Sequence, residues 1–121
     1  MSAAFDGTAA VFTAFAVVPD SIEIASGDGQ TAPAGAPLPD SLVVRVLDQT
    51  NQPMGGVKVG WEITTAASGD GALAQDTTLT DSSGLAMNEF TLGTTEGDYE
   101  VTAGFQGLTK PPAVFSATAV P

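Results

Sequence analysis

Val57-Lys58-Val59-Gly60-Trp61-Glu62-Ile63-Thr64 has the cleanest alternation of apolar and polar residues in the chain. Val57, Val59, Trp61 and Ile63 fall on one side of an extended chain, and Lys58, Gly60, Glu62 and Thr64 on the other. A period of two with one apolar face marks a half-buried β-strand, and no stretch of the chain keeps helical spacing for long. The same alternation recurs on both sides of it. Ser21 to Ala25 puts Ile22 and Ile24 on one face. Leu42 to Asp48 turns Leu42, Val44 and Val46 inward and Val43, Arg45 and Leu47 outward. Leu73 to Thr80 reads as a weaker, polar strand at an edge. Leu85 to Leu92 carries Phe90 and Leu92 inward. Tyr99, Val101, Ala103 and Phe105 alternate with Glu100, Thr102 and Gly104, and Ala113 to Ala119 turns Phe115, Ala117 and Ala119 toward the core.

Turn signals separate these runs: Asn51-Gln52-Pro53-Met54-Gly55-Gly56, Ser68-Gly69-Asp70-Gly71, Asp81-Ser82-Ser83-Gly84 and Glu96-Gly97-Asp98. Residues 26–40 form the longest irregular stretch. Their three prolines bar a central strand and point to an extended edge segment. About seven short strands in this rhythm predict an all-β antiparallel sandwich. Its expected core is Trp61, Tyr99, Val44, Val46, Val59, Val101, Phe90, Phe105 and Phe115.

Composition narrows the chemistry. At 121 residues and 43% hydrophobic, the chain is long enough to bury one core without staples. It has no Cys, so neither a disulfide framework nor a thiolate metal site is available. It has no His, which removes the commonest general base and transition-metal ligand. Three basic residues against fourteen acidic ones give a net charge of −11. Nucleic acid and anionic membrane surfaces are poor partners at that balance. Residues 9–18 are apolar, but no Lys or Arg precedes them and they are too short to span a bilayer. An excised segment with Met1 added is the expectation for such a start.

The two ends of the chain repeat each other. Ser2-Ala3-Ala4-Phe5-Asp6-Gly7 matches Thr102-Ala103-Gly104-Phe105-Gln106-Gly107. Ala10-Val11-Phe12-Thr13-Ala14-Phe15-Ala16-Val17 matches Ala113-Val114-Phe115-Ser116-Ala117-Thr118-Ala119-Val120, and Pro19 matches Pro121. A unit of roughly 100 residues is an ordinary domain size, and its partial repetition is the signature of a modular array. Residues 20–121 are expected to be one domain. Residues 1–19 are expected to be the last strands of a preceding copy or a donor segment, with Val11, Phe12, Ala14, Phe15 and Val17 as the candidate intersubunit or interdomain strand.

Several further segments, taken in order, carry a resemblance across residues 20–121. They are Ser26-Gly27-Asp28-Gly29-Gln30, Leu42-Val43-Val44-Arg45-Val46 followed by Asn51-Gln52-Pro53, and Val57-Lys58-Val59. Thr80-Asp81-Ser82-Ser83-Gly84-Leu85-Ala86, Thr91-Leu92-Gly93 and Tyr99-Glu100-Val101-Thr102-Ala103 follow. Together they resemble a bacterial immunoglobulin-like repeat of the invasin/intimin type. The resemblance implies a Greek-key immunoglobulin-like sandwich, stacked in tandem as a rigid stalk of an extracellular or cell-surface adhesin. The residues agree with that fold. Trp61 stands mid-strand, where such a sandwich keeps its central indole, and Val44 or Val46 with Val101 would fill the space of the missing disulfide. Tyr99, just after Glu96-Gly97-Asp98 and two residues before Val101, has the place of a tyrosine corner.

Other features point less far. Acidic turns at Asp28, Asp70, Asp76, Asp81 and Asp98 offer oxygens for calcium, but without an Asp-x-Asp-x-Asp-Gly run they are first of all turn chemistry. No elbow motif accompanies Lys58 or Lys110 to make a Ser–Lys dyad, and no carboxylate pair is marked for glycoside hydrolysis. The two Ser-Gly-Asp-Gly segments are followed by no helix or Lys and are not phosphate loops. The expectation is a non-catalytic protein with no cofactor, partnered by neighbouring immunoglobulin-like repeats or identical subunits. Its first reading is a stalk or spacer module. The second is a filament subunit whose residues 2–18 add to or swap into a neighbour's sheet. The third is a terminal receptor- or carbohydrate-binding module, which needs an exposed aromatic or apolar patch.

Overall fold

The computed structural model describes residues 17–66 and 71–121. Within them run ten strands: β1 (Pro19–Ser26), β2 (Gln30–Pro33), β3 (Leu42–Asp48), β4 (Lys58–Thr65), β5 (Ala72–Leu73), β6 (Thr77–Leu79), β7 (Leu85–Asn88), β8 (Phe90–Thr91), β9 (Gly97–Gly104) and β10 (Ala113–Val120). One sheet has the order β1-β3-β7, a second has the order β2-β10-β9-β4-β6, and β5 with β8 makes a small ribbon.

The ten strands are seven units, three of them broken. Each break carries the chain from one sheet to another: β1 to β2 through Gly27 and Gly29, β5 to β6 through residues 74–76, and β7 to β8 at Glu89. The runs Leu73 to Thr80 and Leu85 to Leu92 are therefore not single strands. Asn88 holds both breaks, accepting from the N–H groups of Gln75 (3.2 Å) and Glu89 (2.9 Å) and donating to the Gln75 carbonyl (2.6 Å). The sandwich is also not wholly antiparallel. β2 lies parallel to β10, with Gln30 beside Ala117 and Pro33 beside Val120. A chain that crosses between sheets without reversing must pair in parallel, and alternation within a strand carries no trace of that.

Alternation does place the core. Leu42, Val44 and Val46 of β3 meet Val59 and Trp61 of β4, Tyr99, Val101 and Ala103 of β9, and Phe115, Ala117 and Ala119 of β10 in one buried cluster. Trp61 sits opposite the small Ala103 in the β4–β9 ladder, and Phe115 opposite Val101 in the next. A large side chain beside a small one leaves room for the indole to tilt onto the Phe115 ring, 6.0 Å between centroids at 30°. Phe90 meets Tyr99 edge-on, also at 6.0 Å. Phe105 corrects the sequence reading in part: β9 ends at Gly104 and residues 105–108 turn with the Leu108 N–H on the Phe105 carbonyl, so the side chain is partly buried and packs against the core cluster from outside the strand.

Strand directions separate two poles. β1, β4, β7 and β10 run one way and β3 and β9 the other. Residues 17–18 and the loops 49–57, 80–84 and 105–112 therefore gather at one end, the leading pole. The loops 34–41 and 92–96, with Pro121, gather at the opposite, trailing pole.

Asp48 closes the turn after β3. Its carboxylate accepts from the Thr50 hydroxyl (2.6 Å) and from the N–H groups of Thr50 (2.8 Å) and Gln52 (3.1 Å), while Asn51 takes the left-handed conformation at φ 72°. The Thr50 hydroxyl bond, reinforced by the two N–H groups and opposed by burial, holds the carboxyl below its ordinary range. A folded-state pKa below the unfolded one gives stability that is present above the unfolded value and lost as pH falls through the lowered folded value. The stability gap between the wild-type chain and Asp48→Asn is therefore expected to shrink as pH drops from about 5 to about 2. Thermal melts across that range test it; a gap independent of pH would take Asp48 out of the acid response.

Candidate interaction surfaces

The side chains expected from the sequence to form the core have two polar anchors among them. The Trp61 indole N–H, at the end of an otherwise apolar ring 4% exposed, donates to the Thr78 hydroxyl of β6 at 2.8 Å. Tyr99 is fully buried, and its O–H donates to the carbonyl of Thr95, four residues upstream, at 2.7 Å. That is the geometry of a tyrosine corner: the bond pins the loop before β9 to the core at the trailing pole. Val44, Val46, Val59, Val101, Phe90 and Phe115 are buried in the same cluster.

The leading pole is tied together by contacts that sequence patterning did not signal. Lys110, in the loop before β10, lies 2.6 Å from the Asp20 carboxylate of β1. The Val18 N–H donates to the Gln49 side chain at 2.8 Å. Two loops thus grip the residues where the chain comes into the sandwich. These partners are 90 and 31 residues apart in sequence. Val17 and Val18 themselves are half exposed, at 49% and 51%. Of the candidate strand, only Val17 is among the described residues; Val11, Phe12, Ala14 and Phe15 lie outside them.

A shallow groove of about 710 Å³ crosses the outer face of the five-stranded sheet. Its floor is the paired Gly60 and Gly104, and Lys58, Glu62, Leu108 and Pro112 rise around it. A Cβ on Gly104 would make ordinary van der Waals contact with Leu108 at 3.5 Å and Pro112 at 3.7 Å, which places the 105–112 loop directly against the sheet. Among the described residues, the large apolar side chains most exposed are Val17, Val18, Leu79, Met87 and Val114. They lie on separate strands apart from the Val17–Val18 pair, and none is aromatic.

Two of the acidic turns, at Asp28 and Asp81, are engaged by backbone. Asp28 accepts from the Ser116 N–H at 2.8 Å, which secures the crossover into β2, and Asp81 accepts from Ser83 (2.8 Å) and Leu85 (3.0 Å). Among the described residues no three Asp, Glu, His or Cys side chains gather to hold a metal ion; Asp70 lies outside them. No helix among the described residues is long and apolar enough to cross a membrane.

Two facing sheets, a mid-strand indole in the core, a tyrosine corner and a first strand that switches sheets define an immunoglobulin-like β-sandwich. No protein-family model matches the chain, and neither does any curated protein. Solved structures do. The chain is similar to the D00–D0 domains of intimin at a TM-score of 0.60 and 17% identity, over 87% of this chain and 47% of that one. It is similar to the Escherichia coli adhesin FdeC at 0.61 and 16%, over 88% and 33%. Domains 4 and 5 of the S-layer protein SbsC match at 0.60 and 16%, over 88% and 54%. The fold is that of the invasin/intimin-type bacterial immunoglobulin-like domains. The chain spans about half, or less, of the length of these proteins.

Proposed function

We propose that this chain is a non-catalytic structural module of a bacterial cell-surface or secreted adhesin-like protein, a stalk or spacer unit stacked head to tail with further copies. The observation that carries the reading is the placement of the two ends. β1 begins at the leading pole, β10 finishes at the trailing pole, and both run in the same direction. A unit whose chain comes in at one end and leaves at the other extends an array with each repeat, and each eight-residue strand contributes about 26 Å along its axis. Likeness in fold to surface adhesin and S-layer domains supports the same role and an extracellular setting. Neighbouring repeats are its first partners.

A second reading is favoured by one observation. β10 is a central strand, bonded to β9 on one side and β2 on the other, with Phe115, Ala117 and Ala119 buried. Phe12, Ala14 and Ala16 repeat that inward pattern. In this reading residues 2–18 take the place of β10 in a neighbour and build a filament. Light scattering and electron microscopy of residues 1–121 beside residues 19–121 separate the two. Compact monomers from both chains uphold the stalk module. Fibres or oligomers from the longer chain alone would replace it with a self-assembling subunit.

A further inference from the structure

The two ends of this sandwich set how closely consecutive copies lie, an inference that rests on the tandem reading. In the internal repeat Val17 corresponds to Val120, the last residue of β10. Pro19 is already the first residue of β1 and pairs with Asp48. Between the final strand of one copy and the first strand of the next, a single residue remains, Val18. One residue spans at most about 3.6 Å, too little to hold two folded domains apart. The trailing pole of the preceding copy therefore comes within side-chain reach of the leading pole.

We propose that the leading pole is a docking surface for the trailing pole of a preceding copy, and that Gln49 and Lys110 set the angle between the two. Both flanks of the linker are clamped: the Val18 N–H by the Gln49 side chain and Asp20 by Lys110. Val18, half exposed between the two clamps, is the apolar residue that the docked copy covers. Charge follows the same axis. Of the three basic residues in the chain, Lys58 and Lys110 are at the leading pole, while Arg45 faces Glu23 in mid-sheet. The trailing pole exposes Asp40, Glu89, Glu96 and Asp98 and has no basic residue. At the leading pole, Asp48 and Asp81 direct their carboxylates to N–H groups of their own turns. Lys110 is held by Asp20 of its own domain, so the exposed Lys58 is the cation left to face the carboxylates of the copy before.

The test is a two-copy chain in which Val120 of the first copy runs directly into Val18 of the second. Because the chain has no cysteine, Ala25→Cys in each copy takes one spin label per domain, on an exposed position of β1. A narrow interspin distance distribution is expected. Three glycines inserted before Val18 are expected to broaden it about twofold. Gln49→Ala with Lys110→Ala in the second copy is expected to broaden it part of the way. A native junction as broad as the glycine-inserted one would overturn the docking. The overall length from X-ray scattering is a separate readout: copies lying side by side, not end to end, would sink the stalk reading itself, whatever the width of the distribution.

Discussion

Replacing Trp61 with alanine is expected to lower the unfolding free energy by about 3–5 kcal/mol, the usual range for deleting a large buried aromatic. The side chain is 4% exposed, packs on Phe115, and anchors β6 through its N–H bond to Thr78. Alanine leaves a cavity that strands bonded on both sides cannot collapse into, and it strands the Thr78 hydroxyl. Against a typical total of about 5–15 kcal/mol, that loss removes a large share of the stability and brings a domain at the low end of the range close to its unfolding midpoint. Trp61→Phe keeps most of the ring volume and loses the hydrogen bond, so about 1–2 kcal/mol is expected. Trp61 is the one tryptophan of the chain, so denaturation must be followed by circular dichroism instead of indole fluorescence. A Trp61→Ala chain within 1 kcal/mol of wild type, against the roughly threefold larger loss expected for this class of change, would remove the indole from the core.

Gly27→Ala is expected to be nearly as damaging, for a backbone reason. Gly27 sits at φ 98° where the chain leaves the first sheet for the second. A Cβ there would lie 2.3 Å from the Ser41 carbonyl oxygen and 3.0 Å from the Leu42 Cα. Both neighbours are backbone at the start of β3 and have no rotamer to move to. Left-handed strain and overlap together suggest a cost of about 2–4 kcal/mol, or a melting point lowered by about 10–20 °C. Gly29→Ala is the control. It shares the positive φ, at 72°, but a Cβ there meets nothing within 4 Å. Its cost is expected to be about 1 kcal/mol, from the backbone alone. Equal melting points for the two variants would show that the Ser41 contact does not constrain the crossover.

Much of this could be read from the chain before any coordinates. Val57 to Thr64 announced a half-buried strand because side-chain direction in a strand is set by residue parity alone. The same parity identified Val44, Val46, Val101 and Phe115 as core. Tyr99 was legible as a corner because its place after a Gly-Asp turn is a local pattern. Phe105 does pack against the core, but its place in the strand was misread because parity says nothing of where a strand stops, and here the chain turns directly after Gly104. Asp48 gave a weak signal, since Asp before Gln-Thr-Asn suggests a turn in which the carboxylate accepts backbone N–H groups.

The internal repeat, the absence of Cys and His, the strand rhythm and the inward residues are all legible in the residue order, because each is a property of composition or of neighbours along the chain. The rest depends on how the folded sheets meet. The parallel β2–β10 pairing, the three sheet switches and the Asp20–Lys110 and Val18–Gln49 contacts join residues far apart in sequence. Such contacts exist only once two sheets have closed on a shared core, and no local preference of an Asp, a Lys or a Gln names its partner in advance.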